Sequence, residues 1–208
     1  MTLQSWLLYL NAVFLLSAIP GPNMTHIMTA SIRYGVRRTI PDMAGCLLSL
    51  VALMAASALG LSAVLAASPL LFTILKFAGA FYLIQLGVRG WLSHAPAAGA
   101  EGAVMPPLAW HASLRTSFLV GASNPKAIVF AASFLPQFVN PAAPQAPQYA
   151  LLVATSAVVE ILWYMVYAGS GARLAAVLSR ATWRRRMQRT SGALFILFGC
   201  VLLLHEPK

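Results

Sequence analysis

Long apolar runs separated by short polar, basic or proline-rich stretches dominate the chain, and their lengths set the expected elements. A helix needs about 20 apolar residues to cross a bilayer core. Leu3 to about Ile32 provides a first span, interrupted by Pro20-Gly21-Pro22. Met43 to Leu75 is a 33-residue run without charge, too long for one ordinary crossing and punctuated by Ala67-Ser68-Pro69. It divides into a second span ending near Leu65 and a third from about Pro69 to Val88. A fourth is expected from about Ala112 to Phe134, a fifth from about Tyr149 to Ser170, and a sixth from about Thr190 to Leu204. Pro136, Pro141, Pro144 and Pro147 punctuate the connection before the fifth, because proline lacks a backbone donor and disfavours helix in the residue before it.

The reading is an all-α integral membrane protein with six transmembrane helices, residues 1–208 forming a single transmembrane domain. Its halves, 1–93 and 108–208, are joined by a flexible loop, 94–107, rich in proline, glycine and alanine. Lys76-Phe77-Ala78-Gly79-Ala80 resembles Arg189-Thr190-Ser191-Gly192-Ala193 in order and chemistry. The match suits two three-helix halves of inverted topology, an arrangement of secondary transporters.

Composition agrees with the apolar pattern. The chain is 60% hydrophobic and 9% charged, whereas soluble domains carry about 25% charged residues. The formal charge of +10 does not point to nucleic acid, because no basic and aromatic interleaving lies on a polar background. Every arginine falls within Arg33 to Arg38, Arg89 to Arg115 or Arg173 to Arg189. These are the first, third and fifth connections, so the positive-inside bias turns them to the cytoplasm and leaves both termini outside. Residues Met1 to Trp6 lack the positive region of a cleavable signal, and the first span is read as retained. Cys46 and Cys200 show no metal-ligand spacing and are read as packing residues. Small residues such as Gly79, Gly87, Gly192 and Gly199 suit close helix approach within a subunit or in a homodimer.

Two spans break their own rules. Backbone groups exposed at membrane depth must lie in protein or beside a water-filled cavity. Pro20, Gly21 and Pro22 should interrupt helix 1, leaving carbonyls before the break and amides after it, with Asn23, Thr25 and His26 following. Such amides can receive a carboxylate. Helix 4 has the same character at Asn124-Pro125-Lys126, where Asn124 can cap a restarting helix, Pro125 suits its first turn, and Lys126 places an ammonium at the break. An ionisable group inside the membrane is by default a functional candidate. Glu160 lies near the middle of the fifth span and is the stronger acidic candidate, able to bind an ammonium, carry a proton or pair with Lys126. Asp42 follows Pro41 at the start of the second span, where helix capping competes with a binding role. His26 is a candidate proton carrier or a hydrogen-bonded core histidine. Lys76 is read as snorkelling to an interface. No Walker or zinc-protease motif occurs, so neither enzymatic chemistry nor a cofactor is expected.

These segments resemble the LysE/RhtB family of amino-acid exporters. The resemblance is carried by Pro20-Gly21-Pro22, Ala44-Gly45, Leu75 to Leu83, Leu86 to Arg89, Asn124-Pro125-Lys126-Ala127, Phe134-Leu135-Pro136-Gln137-Phe138 and Ser191 to Leu194. Ser49, where glycine is common, and Gly121-Ala122-Ser123, where bulkier residues are usual, depart from that pattern. The resemblance implies a six-helix protein of the bacterial inner membrane that exports amino acids or close derivatives, including basic amino acids, threonine, homoserine and homoserine lactone, by use of an ion gradient. On this reading the broken helices 1 and 4 face one another around a hydrated site. The substrate carboxylate meets amides near Asn23 and Thr25, helped by Lys126, and its ammonium meets Glu160 or Asp42. Proton influx is expected to drive export through Glu160, Asp42 or His26. An ion channel or ion exporter built on the same breaks is the alternative, and a non-transporting scaffold is third.

Overall fold

A computed structural model describes residues 1–67, 109–178 and 181–204, together with isolated positions between 74 and 92. Helix α1 (Leu3–Ala18) starts at Thr2, whose side chain accepts a hydrogen bond from the Ser5 amide. It stops before Pro20, and α2 (Pro22–Tyr34) begins with proline in its first turn, where the missing N–H leaves nothing unsatisfied. The two segments bend by 51°. A 3-10 turn, Val36–Thr39, leads into α3 (Ile40–Ala67). Pro41 and Asp42 stand in the first turn of α3, where proline is tolerated and a negative charge favours the helix N-terminus.

The fourth span is also broken. Helix α4 (Trp110–Ala122) ends at Ser123, and α5 (Pro125–Val129) restarts with the Asn124 side chain accepting from the Lys126 amide. The chain then widens into a π-helical turn, Phe130–Phe134, and tightens into a 3-10 turn, Leu135–Phe138. The whole pair bends by 57°. Helices α6 (Gln145–Leu178) and α7 (Ala181–Leu204) complete the described chain.

The fold is all-α with helices 1 and 4 broken, as the apolar pattern predicts. Among the described residues, Val36–Gly60 and Gln145–Gly171 are long and apolar enough to cross a membrane, and the two bent pairs raise that number to four. The fifth and sixth helices start earlier than expected. Pro147 lies inside the first turn of α6 rather than in the connection, because an N-terminal turn does not need its N–H. Helix α7 takes in Arg184 to Arg189, with the Arg186 guanidinium lying over the Trp183 ring at 5.9 Å. Most of the third span, Lys76 and the linker 94–107 lie outside the described residues.

Packing crosses between the halves. The closest seam joins α3 to α4, where a Cβ on Gly45 would lie 2.3 Å from the Leu114 carbonyl oxygen and one on Gly121 would lie 1.9 Å from Ser49 Oγ. Only residues without a side chain permit that approach. Helices α1 and α2 lie instead against α6. An apolar core formed by Tyr9, Val13, Leu50, Met54, Phe134, Leu135, Leu152 and Val159 fills the end of the bundle near the start of α1. A smaller one, with Met24, Ile27, Cys46, Tyr164 and Tyr167, fills the region beyond the helix 1 break.

Candidate functional site

The two breaks meet. Asn23, just after the first, and Asn124, just before the second restart, are both buried, and Asn124 Nδ2 donates to Asn23 Oδ1 at 2.9 Å. Asn23 Nδ2 reaches the hydroxyl of fully buried Tyr164 at 3.5 Å. Asn124 Oδ1 is occupied by the Lys126 amide at 3.1 Å, so each asparagine fixes the other while serving its own break.

Side chains from later in the chain bond carbonyls near the end of α1, and two of these, Ala18 O and Ile19 O, lie past the last helical hydrogen bonds. Lys126 Nζ donates to Leu16 O at 3.1 Å and to Ile19 O at 3.2 Å. Tyr167 donates to Ala18 O at 2.8 Å, and Trp163 Nε1 to Phe14 O at 3.1 Å. Lys126 packs over Gly21, where a Cβ would touch its Cε and Nζ at 3.5 Å.

Glu160 faces the same place from α6. Its Oε1 accepts from Ser17 at 2.8 Å, and its Oε2 is buried without a hydrogen-bond partner. Lys126 and Glu160 form no ion pair, yet both line one cavity of about 40 Å³, along with Ser17, Asn124 and Ser156. Apolar residues Val13, Leu50, Phe130 and Phe134 line the cavity as well.

A second polar cluster lies toward the start of α3. Ser117 Oγ donates to Asp42 Oδ1 at 2.8 Å, and His26 Nε2 lies 2.8 Å from Ser117 Oγ and 3.3 Å from Asp42 Oδ1. Ser117 is fully buried and Asp42 nearly so.

The structure thus gathers Asn124, Lys126 and Glu160 around the cavity, with Asn23 bonded to Asn124 at its edge. Pro20, Gly21, Pro22 and Pro125 shape the breaks without lining the cavity. Asp42 and His26 stand apart in the second cluster. Thr25 is exposed, its amide donating to Gly21 O at 2.9 Å and its hydroxyl to the Gly21 and Pro22 carbonyls. Sequence reasoning missed Ser17, Ser117 and Ser156, single serines inside apolar spans. A signal existed for one of them: Ser156, Glu160 and Tyr164 recur at helical spacing and mark one polar stripe on α6.

The LysE type translocator family model matches residues 14–206. The chain belongs to this family. This LysE-type translocator is therefore a multi-pass transporter of the inner membrane rather than an enzyme. It is 36% identical to the homoserine/homoserine lactone efflux protein of Salmonella typhimurium, with 97% of each chain covered. It is 27% identical to the leucine efflux protein of Salmonella choleraesuis, over 79% of this chain and 77% of that one. An uncharacterized membrane protein of Vibrio cholerae is 29% identical over the full length of both. No solved structure matches the translocator.

Proposed function

We propose that this translocator exports a small neutral amino acid or homoserine-like derivative from the cytoplasm, with proton influx as the driving reaction. The observation that carries the reading is Glu160 Oε2, a buried carboxylate oxygen without a partner, in a cavity shared with an ammonium. An α-amino acid presents the complementary pair of charges.

In this scheme the substrate ammonium docks on Glu160 Oε2. The carboxylate takes the remaining donor of Lys126, since a lysine ammonium has three N–H groups and two are held by Leu16 O and Ile19 O. A single free carboxylate suits one ammonium, hence a neutral rather than a basic amino acid. The relatives that export homoserine compounds and leucine support that substrate range. Glu160 accommodates either the substrate ammonium or a proton, so alternating occupancy links the inward passage of one to the outward passage of the other. The cavity holds only a few water molecules. Loading therefore requires the halves to part, which the bent helices permit. The arginine-bearing connections face the cytoplasm, and both termini face outside.

The test uses purified protein in sealed vesicles, a panel of radiolabelled amino acids and an imposed pH gradient. Gradient-driven accumulation of a neutral amino acid is expected, together with its loss in Glu160→Gln. Movement indifferent to the gradient removes proton coupling, and full coupled activity in Glu160→Gln removes Glu160 from the proton-carrying role. Unchanged substrate affinity in folded Lys126→Ala removes the carboxylate assignment.

A further inference from the structure

The cavity is lined largely by apolar side chains, and a rare piece of backbone supplies two of them. Within Phe130–Phe134 the helix widens, and the Leu135 amide donates to Phe130 O, five residues back, instead of to Ala131 O. That leaves the Ala131 carbonyl without its α-helical donor. Ser57 of α3 supplies a replacement, its Oγ donating to Ala131 O at 2.5 Å. Wide turns of this kind are uncommon and concentrate at functional sites.

The turn presents Phe130 and Phe134 to the cavity, with their ring centroids 5.3 Å apart. Tyr9 backs both rings, at 6.1 and 6.4 Å, and Phe138 closes the cluster at 5.0 Å from Tyr9. Tyr9 is itself fixed by Ser156, 2.6 Å from its hydroxyl, so that lining hydroxyl is already engaged. Val13 and Leu50 add to the apolar lining of the same cavity.

We propose that Phe130 and Phe134 receive the substrate's side chain and limit its size, and that Ser57 positions them by holding the wide turn open. This inference rests on the amino-acid export reading and narrows it to amino acids with an apolar side chain no larger than that of leucine. A hydroxyl on a side chain of that size changes little, because an apolar pocket discriminates weakly against an added hydroxyl. In this proposal the paired rings of Phe130 and Phe134 exclude a further aromatic side chain. Phe130 and Phe134 are specificity residues that touch substrate, whereas Ser57 acts through them.

The experiment measures efflux of labelled leucine from vesicles containing the full chain, with unlabelled valine, leucine, homoserine and phenylalanine as competitors. Valine and homoserine should compete with leucine, and phenylalanine should not. Phe134→Leu and Phe130→Leu should each raise the preference for phenylalanine over leucine by about tenfold, chiefly through KM, the scale on which packing contacts discriminate. Phe130→Leu alters a half-buried ring and keeps the test decisive if the more buried Phe134 variant misfolds. Ser57→Ala should move the same ratio without loss of thermal stability comparable to a core cavity, and Ser57→Thr should restore it. Ratios unchanged in variants that still transport overturn the subsite while leaving the export reading intact. An unaltered chain that moves none of the panel overturns both.

Discussion

The translocator holds two carboxylates inside its spans, Asp42 buried and Glu160 half-buried, and their surroundings differ. Asp42 lies in the first turn of α3, where the helix end favours its charge, and receives the Ser117 hydroxyl with His26 beside it. Glu160 lies in mid-helix, away from any terminus, with Ser17 on one oxygen and no partner on the other. Among the described buried side-chain oxygens and nitrogens, only Glu160 Oε2 and the Tyr149 hydroxyl lack a partner. The Asp42 set ties α2 and α3 to α4 through Oδ1. Glu160 retains unmet bonding capacity beside a cavity. Rarity of an acidic residue in an apolar chain is thus the same signal in both cases, and a buried oxygen without a partner is what sets Glu160 apart.

Substitutions can break or sharpen this contrast. Glu160→Gln should lower export by more than about 100-fold with little change in unfolding temperature, since no ion pair is lost and binding to a charged partner is the term removed. A large loss of stability with transport retained would reverse the assignment. Lys126→Met should remove the donors to Leu16 O and Ile19 O and destabilise the fold by about 2–4 kcal/mol, measured by denaturant unfolding in detergent, with Lys126→Arg recovering part of it. Gly121→Ala should cost about 1–3 kcal/mol by driving a methyl into Ser49, and Ser49→Gly in the same chain should recover most of that loss. Failure of the double variant to recover would mean that the α3–α4 seam is not what holds the Asp42 set. Asp42→Asn should have the smallest effect, about 1 kcal/mol in stability and a modest fall in transport rate, because the amide keeps an oxygen for Ser117. Abolished export in a stable Asp42→Asn protein would place Asp42 with Glu160 rather than opposite it.

Much of this was legible in the order of residues. Apolar run lengths located the spans, and Pro20-Gly21-Pro22 and Asn124-Pro125 marked both breaks because proline's effect on a helix is local. Lys126 and Glu160 stood out because charge in lipid is costly. The cavity's serines were not legible, since a single serine in an apolar helix looks the same whether it bonds its own backbone, as Ser49 does with Cys46 O, or a residue across the bundle, as Ser17 does. The π-helical turn was equally hidden. Ser57, which satisfies the freed Ala131 carbonyl, is remote in sequence, and Phe-Ala-Ala-Ser-Phe alone reads as ordinary helix.

The carbonyls that end α1 have a consequence for biogenesis. The side chains that bond Ile19 O and Ala18 O, Lys126 and Tyr167, follow them by 107 and 149 residues. At roughly 5–20 residues per second, the ribosome supplies those donors about 5–30 seconds after the first break has been made. During that interval the nascent first half carries bare carbonyls at membrane depth, so its earliest helix waits near water or the insertion machinery. The break closes only when the second half arrives, and a chain stopped after residue 93 would leave it open.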